Sequence, residues 1–326
     1  MMTTRRAVLA LLGAATWPRA AAAQQRRKWR IGFLHPGQSA YVNMRIVAFS
    51  EGLGAAAGTA DGPEIEIVAR VAAERYEQLP TLAAEVVALG THAICAVSPP
   101  AVLAAVRATS EIPIVAMDLE SDPVANGWAA SLAHPGGNVT GIFLDHPDFS
   151  AKCLQLLREA MPGLSKVAVL WHPAAGDLQK RAVESAAAAL AIRLEIFEVS
   201  KVVDFDPVFR AIADAQADGV LMLSSPLIGG NPQPLAELAL HHRLPAINLF
   251  PEFAEKGGLL GYGPDLQSLF AQAGRLTRKV LQGTVAAEVP VERPSRFKLV
   301  ANLKTAQAIG VAMPTSILLR ADEVIE

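Results

Sequence analysis

The feature that most constrains the fold is an alternation of short apolar runs with longer stretches of helical periodicity, which occurs twice along the chain. In its first appearance, the apolar runs at 31–34, 93–97 and 114–117 are separated by helical patterns. Parallel strands that are buried on both faces need continuous apolar runs, and a βαβα rhythm places helices on both faces of such a sheet. The sequence therefore predicts an α/β fold with parallel sheets.

The same rhythm restarts after residues 134–140, with strand-like runs at 167–170, 220–223 and 246–249. A chain of 326 residues with 52% hydrophobic residues is long enough for two packed cores. We therefore predict two Rossmann-like lobes, the first at 29–140 and the second at 141–258.

The first 23 residues have the order of a secretory signal peptide. Arg5 and Arg6 precede an apolar run at 7–15, and a small-residue site ending at Ala23 precedes Gln24. We predict that residues 1–23 are cleaved and that the mature protein is periplasmic. The arginine pair also fits a twin-arginine signal, so both export routes stay open.

Charge and hydropathy limit the partners. The formal net charge is −2, and Lys and Arg form no dense run beyond 26–28, so nothing favours nucleic acid. No later segment has the ~20 uninterrupted apolar residues of a membrane span. Cys95 and Cys153 fall in strand-like and helix-like sequence, and we expect both to be buried thiols.

The candidate ligand-binding residues follow the predicted strands, because ligands of open α/β sheets bind beyond the carboxyl ends of the strands. The candidates are His35, Ser39, Ser98, Pro99, Asp118, Glu120, Asp145, Ser224, Ser225 and Tyr262.

Two kinds of chemistry stand out among them. Ser98 and Pro99 fit a helix start, whose free N–H groups favour a carboxylate or another anion. Asp118, Glu120 and Asp145 fit an ammonium group, which carboxylates bind through charge-assisted hydrogen bonds. The structural alternative is that Ser98 only caps its helix and that some of the acids are caps or solvated.

Catalytic motifs are missing from the sequence. Residues 32–39 read G-x-x-x-x-G-Q-S, with Gln38 where a phosphate loop requires lysine. No dinucleotide fingerprint follows a strand, and no nucleophile elbow is present. His241 and His242 are adjacent, so they point to different helix faces and make a poor metal pair. We expect no catalytic residue, no metal site and no cofactor.

Several stretches resemble one known family. The chain is similar to the ABC-transporter substrate-binding proteins of the type I periplasmic-binding class, the group that includes tryptophan- and tyrosine-binding receptors. The resemblance covers nearly the whole chain, and its most specific part is the Pro-Gly-Gly-Asn-Val-Thr-Gly sequence at 135–141. The stretches that carry it are 113–115, 121–124, 131–141, 167–173 and 318–323.

The resemblance implies a type I periplasmic binding protein, in which three crossovers join the lobes as a hinge. It implies that 259–288 return to lobe one and 289–326 to lobe two. Independently of the resemblance, Pro290, Pro294 and Pro314 predict that this tail is irregular. Gly136 and Gly137 fit one crossover, because glycine accepts the backbone angles of hinges and tight turns.

The implied function is a monomeric periplasmic receptor that binds a small polar or aromatic molecule, amino-acid-like or an amine, and passes it to the membrane permease of an ABC importer. Amino-acid-binding members carry an acid after the strand that ends here at Leu223, whereas this chain has Ser224-Ser225-Pro226. Either the acids of lobe one serve an amine, or the solute is a different polar or aromatic compound. A ligand sensor for a signalling partner and a Rossmann-like enzyme, such as a racemase or nucleotide-dependent transferase, are the alternatives.

Overall fold

The computed structural model describes residues 28–37, 39–54, 64–144 and 146–326. The predicted signal peptide at 1–23 and the candidate Asp145 lie outside the described residues. Within the described part of the chain, no helix combines the length and the apolar character needed to cross a membrane.

Lobe one is built on a five-stranded parallel sheet in the order β2-β1-β3-β4-β5. Every residue of its last three strands is buried, and these strands are mainly apolar, although β4 ends in Asp118 and β5 contains Thr140. The strands are β1 (Lys28–His35), β2 (Glu64–Val71), β3 (Ala93–Val97), β4 (Ile114–Asp118) and β5 (Val139–Phe143). The helices between them are α1 (Ser39–Leu53), α2 (Leu79–Ala88) and α3 (Ser98–Ala108).

Lobe two is built on a seven-stranded sheet in the order β12-β11-β10-β9-β8-β6-β7. All of its pairings are parallel except that of β10 with β11. The strands are β6 (Lys166–Trp171), β7 (Arg193–Glu198), β8 (Gly219–Met222), β9 (Ala246–Asn248), β10 (Leu260–Pro264), β11 (Phe297–Asn302) and β12 (Glu323–Ile325). The helices from here to the C-terminus are α4 (His146–Ala160), α5 (Leu178–Ala189), α6 (Phe205–Asp214), α7 (Pro226–Gly229), α8 (Pro232–His241), α9 (Glu252–Glu255), α10 (Leu266–Leu281), α11 (Leu303–Ile309) and α12 (Thr315–Leu318).

The structure corrects the predicted crossover at Gly136 and Gly137. These glycines precede β5, a strand that the sequence interpretation did not include, and β5 pairs with β4 inside the first sheet. The loop that contains them therefore stays in lobe one. Gly136 has a φ of +76°, so glycine is needed there for a turn rather than for a crossover.

The C-terminal part also differs from its description as a return to lobe one followed by an irregular tail. Strand β10 lies in the sheet of lobe two, so only the part of 259–288 that begins at α10 packs on lobe one. The tail at 289–326 contributes β11, α11 and β12 instead of being irregular. The lobe bounds at 140/141 and 288/289 stay predictions.

Helix α10 is fixed to lobe one by close packing on α1. A Cβ atom at Gly274 would lie 2.1 Å from the carbonyl oxygen of Phe49, and one at Gly52 would lie 1.9 Å from that of Ala271. The two helices therefore meet backbone to backbone, and only glycine fits at these points. This contact holds the first turns of α10 beside the sheet edge of lobe one.

The segments that run between the lobes lie side by side. They are the segment that follows β5, the one between β10 and α10, and the one that precedes β11. The Arg293 side chain, before β11, donates a hydrogen bond to the carbonyl oxygen of Phe143, at the end of β5, at 3.1 Å. The backbone N–H of Asp265, after β10, donates to the carbonyl oxygen of Arg296, before β11, at 3.1 Å. A small bundle of connections thus links lobes that are otherwise built separately.

Candidate ligand-binding site

The sheet orders place one crevice on each lobe. In both sheets the first strand of the lobe lies between the second and the third. A crevice forms between the first and third strands, because the connections that leave these two strands run to opposite sides of the sheet order. His35 and Ser98 follow the two strands beside this point in lobe one, and His172 and Ser224 do so in lobe two. All four side chains are buried, and the two edges face each other.

Glu120 makes the direct polar contact between the edges. Its carboxylate is 4% exposed, and its Oε1 accepts a hydrogen bond from the Ser224 hydroxyl at 2.6 Å. Its Oε2 is buried and has no hydrogen-bond partner. Burial, and secondly the nearby Asp118 carboxyl, raise the pKa of Glu120. A buried carboxylate with an unused oxygen is best stabilised by a cation.

Asp118 shapes the turn that presents Glu120. Its Oδ1 accepts hydrogen bonds from the backbone N–H groups of Glu120 at 2.9 Å and Ser121 at 3.1 Å, and the Ser121 hydroxyl donates to its Oδ2. Burial raises the pKa of Asp118, although these hydrogen bonds oppose the effect. Both oxygens are thus engaged by the loop itself, so Asp118 positions Glu120, and its own contact with a solute stays a prediction.

Ser98 has an unusual backbone conformation beside Glu120. Its φ of +73° is rare for a residue with a side chain and costs about 1–3 kcal/mol. Its hydroxyl is buried and, like Oε2 of Glu120, has no hydrogen-bond partner. Pro99, the second residue of α3, is half-buried and lines a second interlobe groove, which Glu120 also borders. Strain and two unused polar atoms therefore coincide at one point of the cleft.

Between the lobes lies a small cavity of about 30 Å³, here called the inner chamber. Its walls are mainly apolar, and its polar side chains converge from two helices and two loops. Lobe one provides Arg45, Val97, Ser98, Met117, Leu119 and Glu120, lobe two provides Ser225, Pro226, Gly229 and Phe250, and α10 provides Leu266 and Phe270. Few polar groups in an apolar enclosure are typical of a small-molecule site.

Two further candidates support the walls of this chamber. The Nδ1 atom of His35 accepts a hydrogen bond from the Gly37 N–H at 2.9 Å, and its Nε2 lies 2.7 Å from Nη1 of Arg45. Burial and then the Arg45 guanidinium hold the pKa of His35 well below its usual range, so the ring is neutral. The Ser225 hydroxyl accepts from the Ile228 N–H at 3.1 Å and caps α7.

Of the three remaining candidates, Tyr262 lies away from the chamber and the other two fall outside the described side chains. Tyr262 packs against Phe149 and Phe297, with ring centroids 5.7 and 6.0 Å away, in a separate cavity beside the interlobe segments. Ser39 begins α1, and its side chain is outside the described set, as is the whole of Asp145.

Sequence reasoning missed several residues that build the site. Gln179 is fully buried and clamps Ser224, because its amide donates to the Ser224 carbonyl at 2.9 Å and its oxygen accepts from the Ser224 N–H at 2.8 Å. The rings of Tyr76 and His172 meet across the lobes with centroids 5.3 Å apart. Burial lowers the pKa of His172 to about 4. A polar residue inside the apolar pattern of α5 was the available signal for Gln179.

Comparison with known proteins identifies the class. Residues 37–325 match the family described as ABC transporter substrate binding protein, and the chain belongs to this family. It is a solute receptor for an ABC importer, so a solute and a membrane permease are its partners. The resemblance, the two-lobed α/β fold and the receptor function expected from the sequence are confirmed.

Particular relatives agree with this class. A tyrosine-binding protein of Clostridioides difficile is 26% identical over 256 residues, which are 78% of this chain and 73% of the relative. The solved structure of an ABC domain in complex with L-Trp from Streptococcus pneumonia has a TM-score of 0.82 at 21% identity and covers 91% of this chain and 100% of its own. A solute-binding protein of Rhodopseudomonas palustris BisB5 in complex with 3,4-dihydroxy benzoic acid has a TM-score of 0.59 at 16% identity, with 80% and 83% covered.

Proposed function

We propose that this receptor binds a small organic ammonium compound, an aromatic amine or an amino-acid-like molecule, with the ammonium group held by Glu120. The observation that carries the proposal is the buried Oε2 of Glu120, which has no hydrogen-bond partner and lies beside a second carboxyl group. A cation removes the cost of ionising this group, whereas an anion adds to it.

The surroundings of Glu120 suit an ammonium group. Such a group has three donors, and the Ser98 hydroxyl lies beside the Glu120 carboxyl group, where its oxygen can accept from the same ammonium. Where amino-acid-binding members of the family carry an acid in lobe two, this chain has Ser224, which donates to Glu120 from across the cleft. The charge that this position lacks is therefore supplied by lobe one.

The relatives support the same ligand class. Two of them are named for tyrosine or were solved with L-Trp, and both of these solutes combine an ammonium group with an aromatic ring. The benzoic acid derivative bound by the third has a ring and no amine. Of these two kinds of solute, the one with an ammonium group fits this site better, because the polar group without a partner here is a carboxylate.

The protein acts, in this proposal, as a monomeric periplasmic receptor that releases its solute unchanged. Receptors of this family usually work outside the cytoplasm, and the order of residues 1–23 supports export through a cleaved signal. His35, the nearest imidazole to Ser98 along the cleft edge, is tied to Gly37 and Arg45, so it is not placed as a general base. Solute transfer is the function that these contacts support.

A binding panel tests the ligand class. Tyramine has the amine and the ring, 3-(4-hydroxyphenyl)propionate has the ring and a carboxylate, and L-tyrosine has all three groups. A ligand that binds only the folded protein raises its stability by about 2.7 kcal/mol at a hundredfold excess over Kd. Thermal denaturation should therefore show stabilisation by tyramine or L-tyrosine and none by the propionate. Stabilisation by the propionate alone would contradict the proposal.

A further inference from the structure

The inner chamber is too small for most of the proposed solute. Its volume of about 30 Å³ has room for a group of the size of one or two waters, such as an ammonium, and not for an aromatic ring. A second cavity of about 420 Å³ adjoins it, here called the outer chamber. The two share Arg45, Gly229, Leu266 and Phe270 in their walls, so they lie next to each other, and Glu120 lines the inner chamber only.

We propose that the outer chamber is a second subsite, which takes an aromatic or branched apolar group attached to the ammonium held at Glu120. The inference rests on the proposed function, because it places the body of the same solute. The site then has two compartments, one for the charge and one for the apolar body, and the solute lies across their junction.

The walls of the outer chamber support an apolar occupant. Met44 and Val47 lie three positions apart on α1, so they share one face, and they are 69% and 58% exposed. Phe270 stands at the junction, with the Arg45 guanidinium 5.7 Å from its ring centroid. Large apolar side chains that a core leaves uncovered beside a cavity are typical of a binding surface.

The groove on the opposite side of Glu120 is the competing location. It has a volume of about 530 Å³, but Asp122, Asp177 and Arg181 line it. Burying an apolar group there would also remove these charged side chains from water, which costs free energy. The outer chamber also has three charged wall residues, Arg45 of α1 and Glu252 and Lys256 at the two ends of α9. The choice between the two locations therefore rests on the exposed apolar face of α1 and on Phe270, and the variants below decide it.

The test uses calorimetry with tyramine as the probe. The double variant Met44→Gln/Val47→Gln makes the exposed wall polar without adding charge, and we expect it to weaken tyramine binding about tenfold. Val203→Gln is the matched control, because Val203 is 76% exposed on lobe two and lines none of these cavities. It should bind tyramine as the unmodified protein does, and both variants should keep the same melting temperature.

The outcomes separate this inference from the proposed function. If the unmodified protein binds tyramine and Glu120→Gln weakens it, but the double variant binds normally, the second subsite is wrong and the ammonium site stands. A loss on Leu103→Gln, which lies in the opposite groove, would place the ring there and also overturn the inference. If the unmodified protein binds neither tyramine nor L-tyrosine, the proposed function itself fails.

Discussion

The two edges of the cleft are alike in topology and opposite in chemistry. Each follows the same strand order, yet lobe one contributes two buried carboxyl groups and the strained Ser98, whereas lobe two contributes hydroxyl groups and a neutral histidine. The difference indicates that lobe one provides the carboxyl group of the inner chamber, whereas Glu252, the carboxyl group of lobe two that also has an unpartnered oxygen, lines the outer chamber. Lobe two completes the site with neutral hydrogen bonds, which cost little to expose when the lobes separate.

The largest effect should come from disturbing the helix that returns to lobe one. Gly274→Ala places a methyl group against the Phe49 carbonyl oxygen, where the backbone cannot move freely, so we expect it to reduce the free energy of unfolding by about 1–3 kcal/mol. Chemical denaturation measures this difference. Gly163→Ala in lobe two is the control, since a Cβ there meets nothing within 4 Å, and an equal effect of both variants would contradict the backbone-to-backbone packing.

The pH dependence of stability around neutral pH should come from two carboxyl groups, Glu120 of lobe one and Glu252 of lobe two, because burial raises their pKa values to about 8 and about 7. Folding raises the pKa of Glu120 to about 8, so the folded protein keeps a proton that the unfolded chain has already lost. The free energy of unfolding should therefore fall as the pH rises from the ordinary glutamate pKa of 4.5 to the folded-state pKa of about 8. His35 and His172, whose pKa values are lowered by folding, act in the opposite direction, and their effect ends above about pH 7.5, where the unfolded chain has also lost its imidazole protons.

The neighbours of Glu120 define how this effect is isolated. Asp118 from its own loop, Ser98 from α3, Ser224 from lobe two and Tyr76 face or influence its carboxyl group. Thermal unfolding of the unmodified protein and of Glu120→Gln, compared between pH 6.5 and 8, should show a smaller loss of stability in the variant. Parallel curves would mean that Glu120 is already ionised in the folded protein.

The hydroxyl group of lobe two should matter less than the charge of lobe one. Ser224→Ala removes the hydrogen bond to Glu120 Oε1, a contact worth about 1.5–3 kcal/mol because one partner is charged when solute is bound. In the variant the ammonium group of tyramine still donates to Glu120, which offsets part of the lost binding free energy. We therefore expect tyramine affinity to fall roughly tenfold or less. Ser200→Ala, on the exposed surface of lobe two, should bind normally, and calorimetry distinguishes the two.

The smallest effect should come from an acid that lies near the cleft but only shapes a turn. Asp122 accepts hydrogen bonds from the N–H groups of Val124 at 2.8 Å and Ala125 at 3.1 Å. Asp122→Ala should therefore lower stability by ~1 kcal/mol and leave tyramine affinity unchanged. A marked loss of affinity would show that charge near the groove matters without contact.

Periodicity and turn signals were enough to predict most of the strands and the double α/β rhythm, because buried parallel strands cannot avoid continuous apolar runs. They failed at β5, where Gly136 and Gly137 resemble a connection and the strand that follows contains Gly141. Polar residues directly after predicted strands led to Ser98, Glu120 and Ser224, which the structure brings together at the cleft, because the ends of parallel strands converge at one edge. Sequence could not show that Asp118 turns inward to its own loop or that Tyr262 belongs to another cavity.

The most direct test of the account is the tyramine affinity of Glu120→Gln measured by calorimetry at neutral pH, beside the control Glu111→Gln. Glu111 is an exposed acid of the same lobe, so its variant makes the same Glu-to-Gln replacement away from the cleft. Losing a charge-assisted contact costs about 1.5–3 kcal/mol, so Glu120→Gln should weaken binding roughly 10- to 100-fold while Glu111→Gln binds normally. Equal affinities for both variants and the unmodified protein would contradict the claim that lobe one holds the cation.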